Sequence, residues 1–312
     1  MDPYDYYNAN LYGKEATMTQ PSALDFEDRP RFYFTTHPRD AVRKSLLPGA
    51  YVLLVASAHW DAKNNRFKIT RPPADHIAGF CIDSGGFTAA RKWGKYRWTY
   101  RQYVDFIREM SRDVPVQFAA VMDYACIPSN GKKSEINIDR IKATIQNEIA
   151  LRELAPDIPW LPILQGDNFE ERSEDLELRR ALNFLPTEYA GIGSLVGRGI
   201  QAAIDTVQFY ANELPGLKFH GFGIPIKALD DPVVFATTKS WDTYSWSWGR
   251  GKRNMPEEYR KRENETHSAY ARRLASLYWD RTVCPRLMRG RQMTLHELFN
   301  LQEISPLLSA GD

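Results

Sequence analysis

The sequence predicts an α/β protein whose main part, residues 31–312, is a single domain with a TIM-like (β/α)8 barrel fold. The length of 312 residues suits one such barrel, which commonly takes ~250 residues. Strand-like apolar runs alternate with amphipathic, helix-period segments, which is typical of parallel strands joined by helical crossovers. Several runs end in Asp, Gln or Gly, and a barrel delivers all such ends to one face. An open doubly wound sheet, the alternative, would use only the ends at its switch point.

The order of elements follows from the same periodicity. Residues 1–30 are polar, rich in Tyr and Asn, and turn-prone, so we expect an irregular and partly disordered N-terminal arm. The apolar runs predict strands at 50–56, 79–83, 116–123, 160–165, 189–195, 217–222 and 238–242. The amphipathic stretches predict helices near 101–112, 135–154, 170–185, 199–214 and 232–237.

The composition is that of a globular protein in a reducing compartment. Hydrophobic residues make up 43% and charged residues 26% of the chain, and no apolar run approaches the ~18–20 residues of a membrane span. The first residues are acidic and aromatic, unlike the basic and apolar start of a signal peptide. The three cysteines are too few and too far apart for a disulfide framework. We therefore expect a cytoplasmic protein with no membrane insertion.

Positive charge is concentrated in two segments. Residues 249–291, which we expect to be a basic helical C-terminal region, carry twelve Lys or Arg against five Asp or Glu, so the rest of the chain is net acidic. Residues 91–101 carry five cations, no acids and four interleaved aromatic residues. Cations that neutralise phosphates beside rings that stack on bases suit a nucleic-acid surface. Either segment by itself is equally compatible with a solvated basic face.

Acidic and amide side chains end several of the predicted strands. Asp83 is followed by Ser84 and two glycines, which let backbone N–H groups approach a ligand closely. Asp123, Gln165 and Asp242 end later runs, and in a barrel these residues converge on one rim. The alternatives are a simple turn at Asp83 and helix capping by the other acids.

The order of these motifs resembles that of the tRNA-guanine transglycosylases. The resemblance covers residues 79–250 through Asp-Ser-Gly-Gly-Phe at 83–87, Val-Met-Asp at 121–123, Ile-Leu-Gln-Gly at 163–166, Gly-Ile-Gly-Ser-Leu at 191–195, His-Gly-Phe-Gly at 220–223 and Trp-Asp at 241–242. Thr88 and Ser-Trp-Ser-Trp-Gly-Arg at 245–250 are more similar to the DpdA-type branch, which inserts a 7-deazaguanine base into DNA in place of guanine. The resemblance implies a DNA-guanine transglycosylase that uses a free 7-deazaguanine such as preQ0. The same exchange on tRNA, and a catalytically silent nucleic-acid-binding barrel, are the alternatives.

The resemblance also implies roles for individual residues. Asp242 matches the nucleophile, which attacks C1′ to form a covalent glycosyl intermediate, and Asp83 matches the acid that handles the proton. Asp123 and Gln165 match the residues that read the purine edge. The expected neighbours of the base are Ser84, Phe87, Gly193, Ser194, Leu195, His220 and Gly221, with Phe87 and His220 on its two faces. The expected contacts to the nucleic acid are Lys92, Lys95, Arg97, Trp246, Trp248, Arg250, Lys252 and Arg253.

The sequence departs from the tRNA enzymes in two places. Those enzymes bind a structural zinc with three cysteines and a distant histidine, whereas only Cys284 and His296 lie in the matching region, so we expect no zinc and no other cofactor. His220 stands where methionine is common, and we favour a partly buried imidazole without a catalytic proton. A homodimer is common among related enzymes, and the need for a helicase-like accessory protein is left open.

Aromatic residues near the basic segments are candidates to hold DNA open around an extruded base. Trp93, Tyr96 and Trp98 lie within residues 91–101, and Trp246 and Trp248 follow Asp242. Packing of a loop against the barrel is the alternative for each.

Overall fold

A parallel β-sheet that curves into a ring forms the centre of the fold. The computed structural model describes residues 30–36, 49–72, 74–75, 77–129, 131–243 and 257–287. The strands are β1 (Arg31–Thr36), β2 (Ala50–Val55), β3 (Trp60–Asp61), β4 (Arg66–Phe67), β5 (Ile77–Asp83), β6 (Val116–Ala120), β7 (Trp160–Leu161), β8 (Ile163–Leu164), β9 (Tyr189–Ile192), β10 (Lys218–Gly221) and β11 (Thr238–Thr243). The large sheet has the order β7-β6-β5-β2-β1-β11-β10-β9-β8, and its neighbouring strands are parallel. Strands β3 and β4 form a separate antiparallel hairpin.

The two ends of the large sheet, β7 and β8, are halves of one strand that Pro162 separates. Strand β7 pairs with β6, and β8 pairs with β9. Proline has no N–H to give to a ladder, but its carbonyl oxygen accepts from the Gly191 N–H at 2.8 Å. Strands consecutive in the chain are therefore neighbours around the ring, and β1 pairs with β11. This is the arrangement of the TIM barrel, so the predicted fold is confirmed.

Helices cover the outside of the ring. They are α1 (Tyr100–Met110), α2 (Glu135–Leu154), α3 (Phe169–Ala181), α4 (Ile200–Glu213), α5 (Pro232–Thr237) and α6 (His267–Tyr278). Side-chain caps explain where two of them begin. Thr99 and Gln102 form a reciprocal capping box at α1, and the Asn168 side chain accepts from the Glu171 N–H at α3. The predicted helices at 135–154 and 232–237 match α2 and α5 to the residue.

The C-terminal region packs against the outside of β1 and β11. Helix α6 buries Ala271 and Leu274, and the ring of Tyr278 lies 5.9 Å from that of Phe32. Three of the arginines in this region are held in ion pairs, namely Arg273 with Glu265, Arg281 with Glu258 and Arg286 with Asp230. Part of the positive charge of residues 257–287 therefore stabilises this region.

Two differences from the predicted elements affect the site. Strand β1 was not predicted, although its sequence Arg-Phe-Tyr-Phe-Thr-Thr has the aromatic and β-branched residues that strands favour. The predicted strands at 116–123 and 189–195 extend three residues beyond β6 and β9, and these extra residues include Asp123 and Gly193, which line the pocket described below. Most of the predicted arm, residues 1–29, lies outside the described residues. Within the described ranges, no helix has both the length and the apolar character that a membrane span requires.

Candidate active site

The carboxyl ends of four strands surround a pocket at one end of the barrel. It is lined by Asp83, Gly86, Phe87, Asp123, Ala125, Gly193, Ser194, Val196 and Phe222. These residues end or follow β5, β6, β9 and β10, as expected for a barrel site. A larger cavity of about 420 Å³ lies at the opposite end, where Gln117, Trp160 and Tyr189 stand near the starts of their strands. Because it contains none of the predicted catalytic or base-binding residues, we place the candidate active site at the carboxyl end.

Asp242 lies in β11 with its carboxylate largely buried and three polar groups around it. Thr35 Oγ1 donates to Oδ2 at 2.5 Å, and the Gly223 N–H donates to Oδ1 at 2.9 Å. His220 Nε2 lies 3.4 Å from Oδ1. Gly223 has a φ of 60°, a left-handed conformation that glycine adopts without strain. These contacts fix the orientation of the Asp242 carboxylate.

Asp83 is the last residue of β5 and is partly exposed. Its Oδ1 accepts from the Gly85 N–H at 2.9 Å. Burial raises the pKa of Asp83 to about 7; the carboxylates of Asp123 and Asp242 add to the rise, and the Gly85 N–H opposes it. A carboxyl group with a pKa near neutrality can both give and take a proton at physiological pH.

Asp123 follows β6 and is held by hydrogen bonds to both of its carboxylate oxygens. Ser84 Oγ donates to Oδ1 at 2.7 Å, and Gln165 Nε2 donates to Oδ2 at 2.8 Å. A Cβ at Gly86 would lie 2.5 Å from Asp123 Oδ1, so a larger residue there would displace the carboxylate. Burial raises the pKa of Asp123. The structure thus brings the predicted edge-reading residues Asp123 and Gln165 into direct contact.

Ser84 and Tyr96 connect the end of β5 to Asp123. Besides Asp123, Ser84 Oγ contacts Tyr96 Oη at 2.7 Å, and Tyr96 Oη donates to the Asp123 carbonyl oxygen at 2.6 Å. The Tyr96 and Trp98 rings are buried and lie 5.2 Å apart, edge to face. Tyr96 and Trp98 therefore pack as buried side chains of the loop against the barrel, which was the alternative to a role in holding DNA open.

A buried hydrogen-bond network fixes the backbone of Gln165. Its backbone N–H donates to Asp175 Oδ2 at 3.1 Å, and its carbonyl oxygen accepts from Tyr210 Oη at 2.8 Å. Arg179 has no exposed surface and pairs with both Asp175 and Glu148. Arg179 also donates to a carbonyl oxygen of β8 at 2.9 Å. These charges anchor the end of β8, from which Gln165 extends.

The turn after β9 contains the predicted residues Gly193, Ser194 and Leu195. Gly193 lines the pocket, and its N–H donates to a β8 carbonyl oxygen at 2.9 Å. Ser194 has a φ of 60°, which is uncommon for a residue other than glycine. Its hydroxyl donates to Gln165 Oε1 at 2.6 Å and accepts from the Cys126 N–H at 2.8 Å. Ser194 therefore orients the Gln165 amide as well as bordering the pocket, while the Leu195 side chain is buried in the core.

Two phenylalanine rings line the pocket. Phe87 is 43% exposed, and the Arg91 guanidinium lies 5.2 Å from its ring centroid. Phe222 follows β10 and was not among the predicted site residues. Its place in His-Gly-Phe-Gly, one residue beyond a predicted base neighbour, is the signal that could have identified it.

His220, expected to stack on the base, is fully buried beside the pocket. Its ring centroid lies 4.3 Å from that of Phe222 and 5.0 Å from that of Phe118. Burial lowers the pKa of His220, whereas the nearby Asp242 opposes the shift. The neighbouring Gly221 is also buried. The pocket lining therefore contains Phe222 and neither His220 nor Gly221.

Exposed cations lie on the segment between β5 and α1. The three predicted nucleic-acid contacts in this segment are exposed, namely Lys92, Lys95 and Arg97. The segment packs against the β3–β4 hairpin through Trp98, whose ring lies 5.4 Å from Trp60 and 5.1 Å from Phe67. Lys63 and Arg66 in the hairpin are exposed as well. The hairpin and the segment thus form one basic surface, which we call the hairpin surface.

The residues Trp246, Trp248, Arg250, Lys252, Arg253 and His296 lie outside the described ranges. Cys284 is partly buried. Among the residues that the structure describes, no three His, Cys, Asp or Glu side chains are arranged to hold a metal ion. The absence of zinc remains a prediction, since His296 is not described.

Thr35 is a second residue that the sequence reasoning missed. Its hydrogen bond to Asp242 depends on the pairing of β1 with β11, in which Tyr33 lies opposite Asp242. The polar end of the aromatic run in β1 matched the pattern of the other strand ends and was the available signal.

Comparison with known proteins agrees with the geometry. No curated protein matches the chain significantly. The model of the DpdA family, described as DeoxyPurine in DNA protein A, matches residues 29–288. The match includes all described strands of the barrel and the acids Asp83, Asp123 and Asp242. The chain therefore belongs to the DpdA family of DNA-modifying transglycosylases.

Proposed function

We propose that this protein exchanges guanine in DNA for a free 7-deazaguanine base through a covalent intermediate on Asp242. The observation that carries the proposal is the difference between two neighbouring carboxyl groups. Asp242 is held in a fixed orientation by Thr35 and Gly223, whereas Asp83 has a pKa of about 7. A base exchange with a glycosyl-enzyme intermediate needs one fixed nucleophile and one group that can change its protonation state.

In the first half of the proposed reaction, a carboxylate oxygen of Asp242 forms a bond to C1′. The C1′–N9 bond breaks, and its electron pair leaves with guanine, which takes a proton from the neutral carboxyl group of Asp83. The sugar is then bound to Asp242 as an ester, and Asp83 is a carboxylate. Burial of Asp83 favours the proton-bearing form that this step requires.

In the second half, the incoming 7-deazaguanine displaces Asp242. Its N9 gives up a proton to the Asp83 carboxylate and attacks C1′, and the electron pair of the C1′–O bond returns to Asp242. The enzyme regains its starting protonation state. The two steps are the reverse of one another, and they use the same two acids in opposite roles.

Base recognition is assigned to Asp123. The Watson–Crick edge of guanine offers N1–H and N2–H donors, which a carboxylate accepts, and 7-deazaguanines retain this edge. Ser84 and Gln165 hold the Asp123 carboxylate, and Ser194 in turn holds Gln165. This support keeps the acceptor in one position, as selective recognition requires.

Stacking on the base is assigned to Phe87 and Phe222. Both rings line the pocket, whereas His220 lies behind Phe222. We therefore transfer to Phe222 the stacking role expected of His220. Aromatic stacking contributes about 1–3 kcal/mol per base, which helps to offset the cost of removing a base from the duplex.

The decisive experiment measures base incorporation directly. The purified protein is incubated with labelled 7-deazaguanine and either duplex DNA or tRNA, and the nucleosides are separated by mass spectrometry. We expect label in DNA and none with Asp242→Ala, whereas Lys142→Gln on the outer face of α2 should retain activity. Label in tRNA alone would support the tRNA alternative. Binding of DNA without any incorporation would support the catalytically silent barrel.

A further inference from the structure

A chain of polar side chains runs through the barrel to Asp242. Tyr189 Oη lies 2.6 Å from Ser240 Oγ, and Ser240 Oγ lies 2.5 Å from His220 Nδ1. On the other side of the imidazole, His220 Nε2 lies 3.4 Å from Asp242 Oδ1. His220 and Ser240 are paired residues of β10 and β11, and Ser240 and Asp242 share the inward face of β11. The register of β10 and β11 therefore brings these polar side chains into contact.

The hydrogens of this chain can be arranged so that each contact has one donor. Tyr189 donates to Ser240, Ser240 donates to His220 Nδ1, and the remaining hydrogen of a neutral imidazole is on Nε2, directed at Asp242. The reverse tautomer would place the unprotonated Nε2 against a carboxylate oxygen, leaving two acceptors in contact. His220 Nε2 is buried and forms no hydrogen bond with the described residues, and Asp242 Oδ1 lies 3.4 Å from it. A buried N–H without a hydrogen bond is costly, and the negative charge of the Asp242 carboxylate at this distance offsets part of that cost.

We propose that His220 is a positioning residue for Asp242, with the tautomer of its imidazole set by Ser240 and Tyr189. The inference rests on the proposed function of Asp242 as the nucleophile. The Gly223 N–H donates to Oδ1, His220 Nε2 lies 3.4 Å from the same oxygen, and Oδ2 accepts from Thr35. The Gly223 donor and the electrostatic attraction of the His220 N–H hold the carboxylate plane in place and stabilise the charge that returns to Asp242 when the C1′–O bond breaks. His220 touches neither the base nor the sugar in this arrangement.

The test compares three variants under single-turnover and steady-state conditions. His220→Leu removes the N–H donor, and His220→Gln can restore one at the position of Nε2. Ser240→Ala removes the hydrogen bond to Nδ1 that fixes the tautomer of the His220 imidazole. An ideal oxyanion donor contributes about 10²–10³-fold to kcat, and 3.4 Å is longer than an ideal hydrogen bond. We therefore expect kcat to fall about 10- to 100-fold in His220→Leu, with KM for base and DNA changed less than about twofold. His220→Gln should recover most of this loss, and Ser240→Ala should show an intermediate fall.

Phe118→Leu is the matched packing control, because the Phe118 ring also contacts His220. It should lower the melting temperature as the His220 variants do, but should retain kcat. The inference is overturned if His220→Leu retains wild-type kcat, or if the Leu and Gln variants lose activity equally while Ser240→Ala loses none. Both outcomes require an active wild-type protein that Asp242→Ala inactivates. If the wild-type protein shows no base exchange, the proposed function fails instead.

Discussion

At the scale of single residues, the surroundings of two carboxyl groups in the site differ. Asp242 accepts hydrogen bonds from Thr35 and the Gly223 backbone, whereas the described hydrogen bonds of Asp83 include only the Gly85 N–H. Asp83 is therefore governed mainly by burial and by its acidic neighbours. Residue types alone could not assign these roles, because both acids end strands on the same rim. The resemblance supplied the assignment, and the different surroundings provide a physical reason for it.

The raised pKa of Asp83 predicts a specific pH dependence of guanine release. In the proposed reaction the carboxyl group gives its proton to the leaving base, and it loses that proton as the pH rises through about 7. The rate of guanine release in a single turnover should therefore fall above about pH 7. In Asp83→Asn the rate should be lower by about 10²-fold or more, the usual contribution of general acid catalysis, without this fall. A fall of the same shape in Asp83→Asn would assign the titration to another group.

The same shift predicts an effect on stability. Folded Asp83 keeps its proton up to about pH 7, whereas the unfolded chain releases it near the ordinary value of 3.8. Unfolding thus becomes easier as the pH rises between these values, so Asp83 contributes stability at low pH that is lost by about pH 7. The difference in free energy of unfolding between pH 5 and pH 8 should be smaller in Asp83→Asn than in the wild type. Urea denaturation at both values measures it, and equal differences would refute the raised pKa.

At the scale of secondary-structure elements, the buried charges between α2, α3 and β8 anchor the strand end that carries Gln165. Arg179 and Asp175 belong to α3 and Glu148 belongs to α2. The sequence could not show that these charges are buried, since charged residues on amphipathic helices normally face solvent. Ser194 was missed as a support for a similar reason, because its hydrogen bond to Gln165 depends on the left-handed turn after β9.

Removing Arg179 should be costly. Arg179→Met leaves Asp175 buried without its cation and leaves Glu148 with the partly exposed Arg152. Breaking a buried ion pair in this way typically destabilises a protein by about 3–5 kcal/mol. The exposed neighbour Arg180 pairs with Glu213 on the surface, and such pairs contribute about 0–1 kcal/mol. Arg180→Met is therefore the matched control for a urea denaturation experiment. Equal losses in the two variants would show that the buried network has no special importance.

The hairpin surface should contribute to DNA affinity without taking part in the chemistry. Lys63→Gln combined with Arg66→Gln should weaken DNA binding and reduce the slope of log K against log salt by about 1–2, since each phosphate contact contributes about 0.9. Lys142→Gln is the matched control, because it likewise replaces an exposed cation, here on α2, by glutamine. Fluorescence anisotropy at several salt concentrations measures the slope. An unchanged slope in the double variant would place the DNA elsewhere on the protein.

At the scale of the whole molecule, the fold was predictable because its evidence is spread along the chain. Alternating strands and helices, and the polar ends of the strands, are repeated many times, so the omission of β1 did not change the predicted barrel. Side-chain placement was less predictable, because the periodicity of a strand does not specify which ring covers another. Phe222 lines the pocket and packs against the buried ring of His220, a placement that the strand pattern could not specify.

The depth of Asp242 in the barrel predicts which DNA is modified fastest. Its side chain is about nine-tenths buried, so in the proposed reaction C1′ of the target has to enter the mouth of the barrel, which a nucleotide stacked in a duplex cannot do. Extruding a paired base costs a few kcal/mol, and least where pairing is already weak; each 1.36 kcal/mol corresponds to a tenfold change in rate. A guanine in a mismatch or a single-stranded bubble should therefore show kcat/KM about 10- to 100-fold above the same guanine in a matched duplex. Labelled 7-deazaguanine incorporation into oligonucleotides of identical flanking sequence measures the ratio. Equal values would mean that extrusion does not limit the reaction, and a preference for the matched duplex would mean that the protein recognises the paired helix before the base leaves it.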